Sequence, residues 1–304
     1  MLTRGEFIPG WDEYEWRWRC KDFALFRRNF PQPQWDGSDL SGHTILLHTE
    51  QGFGDALQFI RYLPLVTQRG GRIIIQCQAE LQRLFQIMAG DCPVMARGQP
   101  LPAFDVHCPL LSLPRVFGTT LGTIPRQVPY LHAAHAMVEN WRERLAVDAG
   151  SLNVGLAWAG HPAFKGDRLR SPRHLSLLAP LVKIRKARFV SLQKGEASNQ
   201  TRNPPEGMNL VDWTEELKDF ADTAALIANL DLVISSDTAV VHLAGAMGKP
   251  VWVLLPFAPD WRWLLEREDS PWYPTMRLFR QPAIGDWDSV MQKVVDALAK
   301  LSLR

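Results

Sequence analysis

A chain of 304 residues with 46% hydrophobic and 22% charged residues has room for two domains and the balance of a globular protein rather than a disordered one. Its 34 Lys and Arg face 32 Asp and Glu, a formal net charge of +2, so it lacks the basic excess that nucleic-acid binding requires. Cys20, Cys77, Cys92 and Cys108 form no C-x-x-C pair and have no histidine at zinc spacing, which disfavours a structural zinc site and suits a reducing compartment. The charged N-terminus has no apolar stretch of the signal-peptide kind. No apolar run approaches the ~20 residues of a membrane helix. A cytoplasmic protein without a membrane span is the expectation.

Residues 1–38 mix Trp11, Tyr14, Trp16, Trp18 and Trp35 with charges. They predict two short helices, near 2–8 and 10–19, then an extended linker at Pro31 and Pro33. From residue 39 the apolar runs alternate with helical patterns. Thr44–His48 reads as a buried strand, followed by the loop Glu50–Gly54 and a helix from Asp55. Arg72–Gln76 is the next strand, 80–88 a helix and 104–107 a third strand. This is the rhythm of a parallel sheet covered by helices.

The rhythm restarts after a break at 136–150. Strands are predicted at Asn153–Ala157, 187–192, 230–235 and Val251–Leu255, and helices at 176–182, 219–229, 238–247 and Trp287–Leu301. Asp219 and Asp222 stand at N-cap and N3 spacing for the 219–229 helix. The fold class is therefore α/β: a helical extension over 1–38, a Rossmann-like domain over 39–145 and a second over 146–304, with a cleft between them for a nucleotide-type ligand.

Four segments carry residues suited to chemistry. In Ser235–Pro250 a strand ends in a polar turn at Asp237, Thr238 and Ala239 and enters a helix that bears His242. Free N–H groups and the helix dipole make an anion site there; the plainer reading is that Asp237 caps the helix and His242 lies in the core. In Gly52-Phe-Gly54-Asp55, the glycines permit a tight turn, and Asp55 either caps its helix or acts as a general base. The loop from His161 to Ser171 offers Lys165, Arg168 and Arg170 to a diphosphate, or forms a solvated basic surface. After the next strand, Gln193, Lys194 and Glu196 can serve a nucleotide, Lys194 at a phosphate and Glu196 at a ribose, or be surface residues. Trp261 and Trp263 can wall a pocket or fill the core. Leu57 breaks the G-x-G-x-x-G spacing and the second strand ends at Gln76 and Cys77 rather than at an acidic residue, which argues against an NAD-type oxidoreductase.

Taken together these segments resemble glycosyltransferase family 9, the heptosyltransferase-like proteins of GT-B fold. Gly54-Asp55, Lys165–Ser171 and Asp237-Thr-Ala-Val-Val-His242 match its pattern, with Ala239 replacing the family's glycine. The resemblance extends to bacterial proteins in which tetratricopeptide repeats precede such a domain, through Glu6–Trp18, Asp219–Ala224 and Pro256–Trp263. It implies a metal-independent, inverting transferase that needs no cofactor and uses a nucleotide-diphosphate sugar as donor. The acceptor would be a glycan, a lipid-linked glycan or a protein. Asp55 would be the base, and the diphosphate would be held by the helix start at Asp237–Val240 and by Arg168, Arg170 or Lys194. The resemblance also implies that the last helix crosses back to the first domain and that the extension can meet a protein partner. The alternative is an inactive nucleotide-sugar-binding or interaction scaffold of the same fold.

Overall fold

The computed structural model describes residues 1–146, 150–161 and 166–302. The extension holds helix α1 (Phe7–Tyr14) between short 3₁₀ turns. The first sheet contains β1 (Thr44–His48), followed by α2 (Phe53–Phe59), then β2 (Arg72–Cys77), α3 (Ala79–Ala89), β3 (Val94–Ala96) and β4 (Val106–Pro109). Its strands are all parallel in the order β3-β2-β1-β4. Helix α4 (His135–Leu145) leads to the second half: β5 (Leu152–Ala157), β6 (Ala187–Ser191), β7 (Leu210–Val211), α5 (Phe220–Ala228), β8 (Leu232–Ser236), α6 (Ala239–Ala246), β9 (Val251–Leu255), β10 (Met276–Arg280) and α7 (Trp287–Leu301). The second sheet is also parallel, in the order β10-β9-β8-β5-β6-β7.

This is the expected α/β architecture of two parallel sheets with helices. Every residue of β6, β8 and most of β9 is buried, as strands covered on both faces require. The order in each sheet reverses beside its first strand, at β1/β4 and β5/β8, and the loops leaving those strands carry the candidate residues at the carboxyl edge. Strands β3, β7 and β10 were not legible: β3 and β7 have three and two residues, and β10 alternates arginines with apolar residues in an irregular stretch. The predicted helix over 176–182 is a 3₁₀ helix, Leu175–Lys183, with Pro180 inside it.

Two expectations are corrected. Helix α7 does not cross back to the first sheet. Its buried face, from Trp287 to Leu298, shares a core with Leu175, Leu178, Leu181, Phe189 and Phe279, all of the second half. The crossing is made by the N-terminal extension instead. Phe7 and Trp11 bury themselves against Trp261 and Trp272 at ring separations of 5.3–6.5 Å, and they belong to one core that runs through both halves. Such aromatic contacts contribute about 0.5–1.5 kcal/mol each beyond area burial. The break expected over 136–150 contains α4, which lies on the second half: Trp141 packs on Trp213 at 5.5 Å and Asn229 Nδ2 donates to Val138 O at 2.9 Å.

The expected cleft is closed where α2 meets α6. A Cβ built on Gly54 would lie 2.7 Å from His242 Cδ2 and 3.7 Å from Ala239 Cα. Arg61, buried after α2, donates to Trp272 O at 2.6 Å and to the Tyr130 hydroxyl at 2.9 Å. At the rim Arg83 of α3 pairs with Asp219 and Asp222 at 2.6 and 2.7 Å, and Phe53 packs on Phe220 at 4.9 Å.

Candidate active site at the junction of the two sheets

The loop from β1 bends into α2 so that Asp55 is the third residue of the helix. Its Oδ2 accepts from the Gly52 N–H at 2.9 Å, which satisfies one of the orphan donors of a helix start. Its Oδ1 faces the second half and accepts from Arg262 Nη2. The capping reading of Asp55 and its placement at the junction are therefore both observed. Burial raises the Asp55 carboxyl above its ordinary range and the Arg262 guanidinium opposes that rise. Gly52 has φ −76°, which any residue adopts, and Gly54 lies within α2. The turn these glycines were expected to permit does not depend on them; close approach to His242 is what excludes a side chain at Gly54.

On the other side β8 delivers Asp237 to the start of α6. Asp237 does not cap the helix. The cap position is Thr238, whose side chain makes no capping bond and stands 3.2 Å from Ser235 Oγ. Asp237, 4% exposed, has Oδ2 at 2.7 Å from Arg170 Nη2. Among the described residues its Oδ1 has no hydrogen-bond partner and lies 3.8 Å from His242 Nε2. Ala239 opens α6 beside Gly54. His242 is buried, with Nδ1 3.0 Å from the Tyr273 hydroxyl and its ring stacked on Trp263 at 5.6 Å. Burial holds this imidazole well below its usual range, and the charges of Arg262 and Arg170 add to the effect. His242 is thus a neutral wall of the site.

The loop after β6 is more structural than expected. Gln193 Oε1 accepts from Trp158 and Ala159 N–H at 2.9 and 2.8 Å, and Nε2 donates to Ala159 O and Lys194 O. With both halves of its amide used, it holds the loop after β5 in place and leaves no group for a nucleotide. Lys194 Nζ donates to Thr214 O and Leu217 O at 2.6 and 3.0 Å. Glu196 is exposed at the start of a 3₁₀ helix. Lys165 and the Arg168 side chain lie outside the described residues. Trp263 is fully buried, and Trp261, half-buried, joins the Phe7–Trp11–Trp272 cluster.

Sequence reasoning missed Arg262. It lies between the two tryptophans that were singled out and is 6% exposed. Nε donates to Gln58 Oε1 at 2.5 Å and Nη1 to Asp260 Oδ1 at 2.8 Å, while Nη2 meets Asp55. Burial opposes its charge, but Asp260 and Asp55 outweigh that and raise its proton affinity. Also missed were Tyr14 of the extension, whose hydroxyl accepts from Gln51 Nε2 at 3.1 Å, and the buried pair Arg17–Glu50 at 3.0 Å. The expectation that the chain has no Asp-x-Asp sequence is wrong, because Asp286-Trp-Asp288 is one. Asp286 caps α7 through Ser289. Among the described residues no group of three or more His, Cys, Asp or Glu could hold a metal ion, and no helix is long and apolar enough to cross a membrane.

Residues 217–255, which run from before α5 through α6 to the end of β9, match the model of "Glycosyltransferase family 9 (heptosyltransferase)". The chain is 29% identical to Protein FlbA of Caulobacter vibrioides across 98% of its own length, and it spans about half, 53%, of that protein. In fold it is similar to the ADP-heptose LPS heptosyltransferase II of E. coli, with TM-score 0.61, 14% identity, and coverage of 86% of this chain and 98% of that one. A glycosyl transferase family 9 protein from Veillonella parvula gives 0.60, 11%, 87% and 98% for the same quantities.

Proposed function

With a glycosyltransferase family 9 segment set in the fold of the heptosyltransferases, we propose that the protein transfers a sugar from a nucleotide-diphosphate donor by a metal-independent, inverting single displacement. The observation that carries this reading is the meeting of two helix starts from different sheets: that of α2, which presents Asp55, and that of α6, which presents an uncapped N-terminus. The first supplies a carboxylate and the second a dipole end for an anion.

In this reading the acceptor hydroxyl oxygen bonds to the anomeric carbon while Asp55 takes its proton. The bond from that carbon to the diphosphate oxygen breaks, and its electron pair leaves with the diphosphate. The growing negative charge is stabilised by the N–H groups at the start of α6 and by Arg170, a preorganised electrostatic contribution. The acceptor is a glycan, a lipid-linked glycan or a protein, approaching from the β1 side. Thermal-shift measurements with ADP, GDP, UDP and CDP and their sugars test the donor, because a ligand at 100 times its Kd adds about 2.7 kcal/mol. At least one nucleotide is expected to raise the melting temperature and its sugar to be transferred or hydrolysed. No shift with any of them overturns the donor reading.

One observation favours the second reading, a nucleotide-sugar-binding scaffold without turnover. Both Asp55 oxygens are engaged, one by Gly52 N–H and one by Arg262. Nucleotide binding with neither hydrolysis nor transfer is the outcome that selects it.

A further inference from the structure

Among the described side chains, the junction holds the carboxylates Asp55, Asp237 and Asp260 and the guanidiniums Arg61, Arg170 and Arg262, with Arg170 paired to Asp237 and Arg262 to Asp55 and Asp260. His242 stands among them as a neutral ring. An incoming diphosphate can pair with Arg170 or Arg262 only where a carboxylate gives up its arginine. Arg262 is placed for such an exchange. Its planar group is fixed beside the Trp261 ring, 4.7 Å from the centroid, and anchored through Gln58 and Asp260. Its remaining arm meets Asp55, whose neighbour Gly54 touches Ala239 and His242 at the start of α6.

We infer that Arg262 is a diphosphate-binding residue whose site is occupied by the Asp55 carboxylate until the donor arrives. The inference rests on the functional reading above. A guanidinium N–H takes a phosphate oxygen as readily as a carboxylate oxygen, and the more highly charged diphosphate displaces Asp55 from Nη2. Asp55 keeps its bond from Gly52 N–H but loses the cation that most lowers its proton affinity. Burial then leaves it a stronger base. Donor binding thus frees the base, and without donor the two groups neutralise one another. Base and donor diphosphate compete directly for Arg262.

Calorimetric titration of the full chain with ADP, or with whichever nucleoside diphosphate wild type binds best, tests this. Asp55→Asn removes the competing charge and preserves the cap, so affinity is expected to rise by about 3- to 10-fold. Arg262→Gln is expected to lower it by about 10-fold or more, the scale of a charged hydrogen bond. The double variant is expected to match Arg262→Gln. Arg262→Lys, which keeps the charge but not the anchors to Gln58 and Asp260, is expected to fall between wild type and Arg262→Gln. Wild-type affinity left unchanged by both Asp55→Asn and Arg262→Lys overturns the inference and leaves the functional reading standing. Wild type that binds no nucleoside diphosphate overturns both.

Discussion

Gly54 and His242, 188 positions apart in sequence, are in contact: a methyl group on Gly54 would lie 2.7 Å from His242 Cδ2. The contact sets the separation of the two helix starts and therefore of Asp55 from the start of α6. Gly54→Ala should separate them. The overlap is expected to cost about 1–3 kcal/mol, set against a helix-propensity gain of up to about 1 kcal/mol. In Gly54→Ala/His242→Ala the loss should be smaller than the sum of the single losses, which urea denaturation of the four proteins measures. Strict additivity would show that the contact carries no coupling.

Arg262 also matters to stability. Arg262→Ala leaves Asp55 and Asp260 without their buried cation, a change that costs about 3–5 kcal/mol. Denaturant melts should show this loss. Asp55→Asn, which retains the Gly52 bond, is expected to lose less.

Glu50 sets a pH dependence. Burial pushes its carboxyl up to about 7 although Arg17 opposes the shift. The folded protein therefore keeps a proton that the unfolded chain releases near 4.5, so stability falls as pH rises through 4.5 to 7. The contribution is on the order of 3 kcal/mol. Glu50→Gln should remove this slope, read as the difference between melts at pH 5 and pH 8. A slope equal to that of wild type would assign the dependence to another group.

Ala239 is the first residue of α6, at the proposed diphosphate site. Ala239→Leu is expected to weaken nucleoside-diphosphate binding by about 10-fold or more, the effect of losing one charge-assisted contact. Circular dichroism should remain that of wild type. Unchanged affinity by calorimetry would remove the start of α6 from the site.

Trp11 joins the extension to both halves through Trp261, Trp272 and its Nε1 bond to Thr119 O at 2.8 Å. Trp11→Ala is expected to cost about 3–5 kcal/mol. A loss below 1 kcal/mol in guanidinium melts would show that the extension is an appendage rather than part of the core.

Much of the strand and helix alternation was legible because parallel strands buried on both faces are continuous apolar runs, as in β1, β8 and β9. Helix α7 was legible to the residue because its apolar face repeats at helical spacing and Asp286 caps it. The sequence by itself also placed Asp55 and Asp237 at strand ends, since loops after parallel strands leave at the carboxyl edge. It did not determine which charges meet there. Arg262, Gln58 and Tyr14 come from three separate segments and carry no local pattern. Their pairing follows from how the extension and the two sheets pack, and so does the burial that shifts Asp55 and His242. The same packing made the N-terminal extension, rather than α7, the element that crosses between halves. Local periodicity reports which face of an element is apolar, whereas only the tertiary structure decides what that face is buried against.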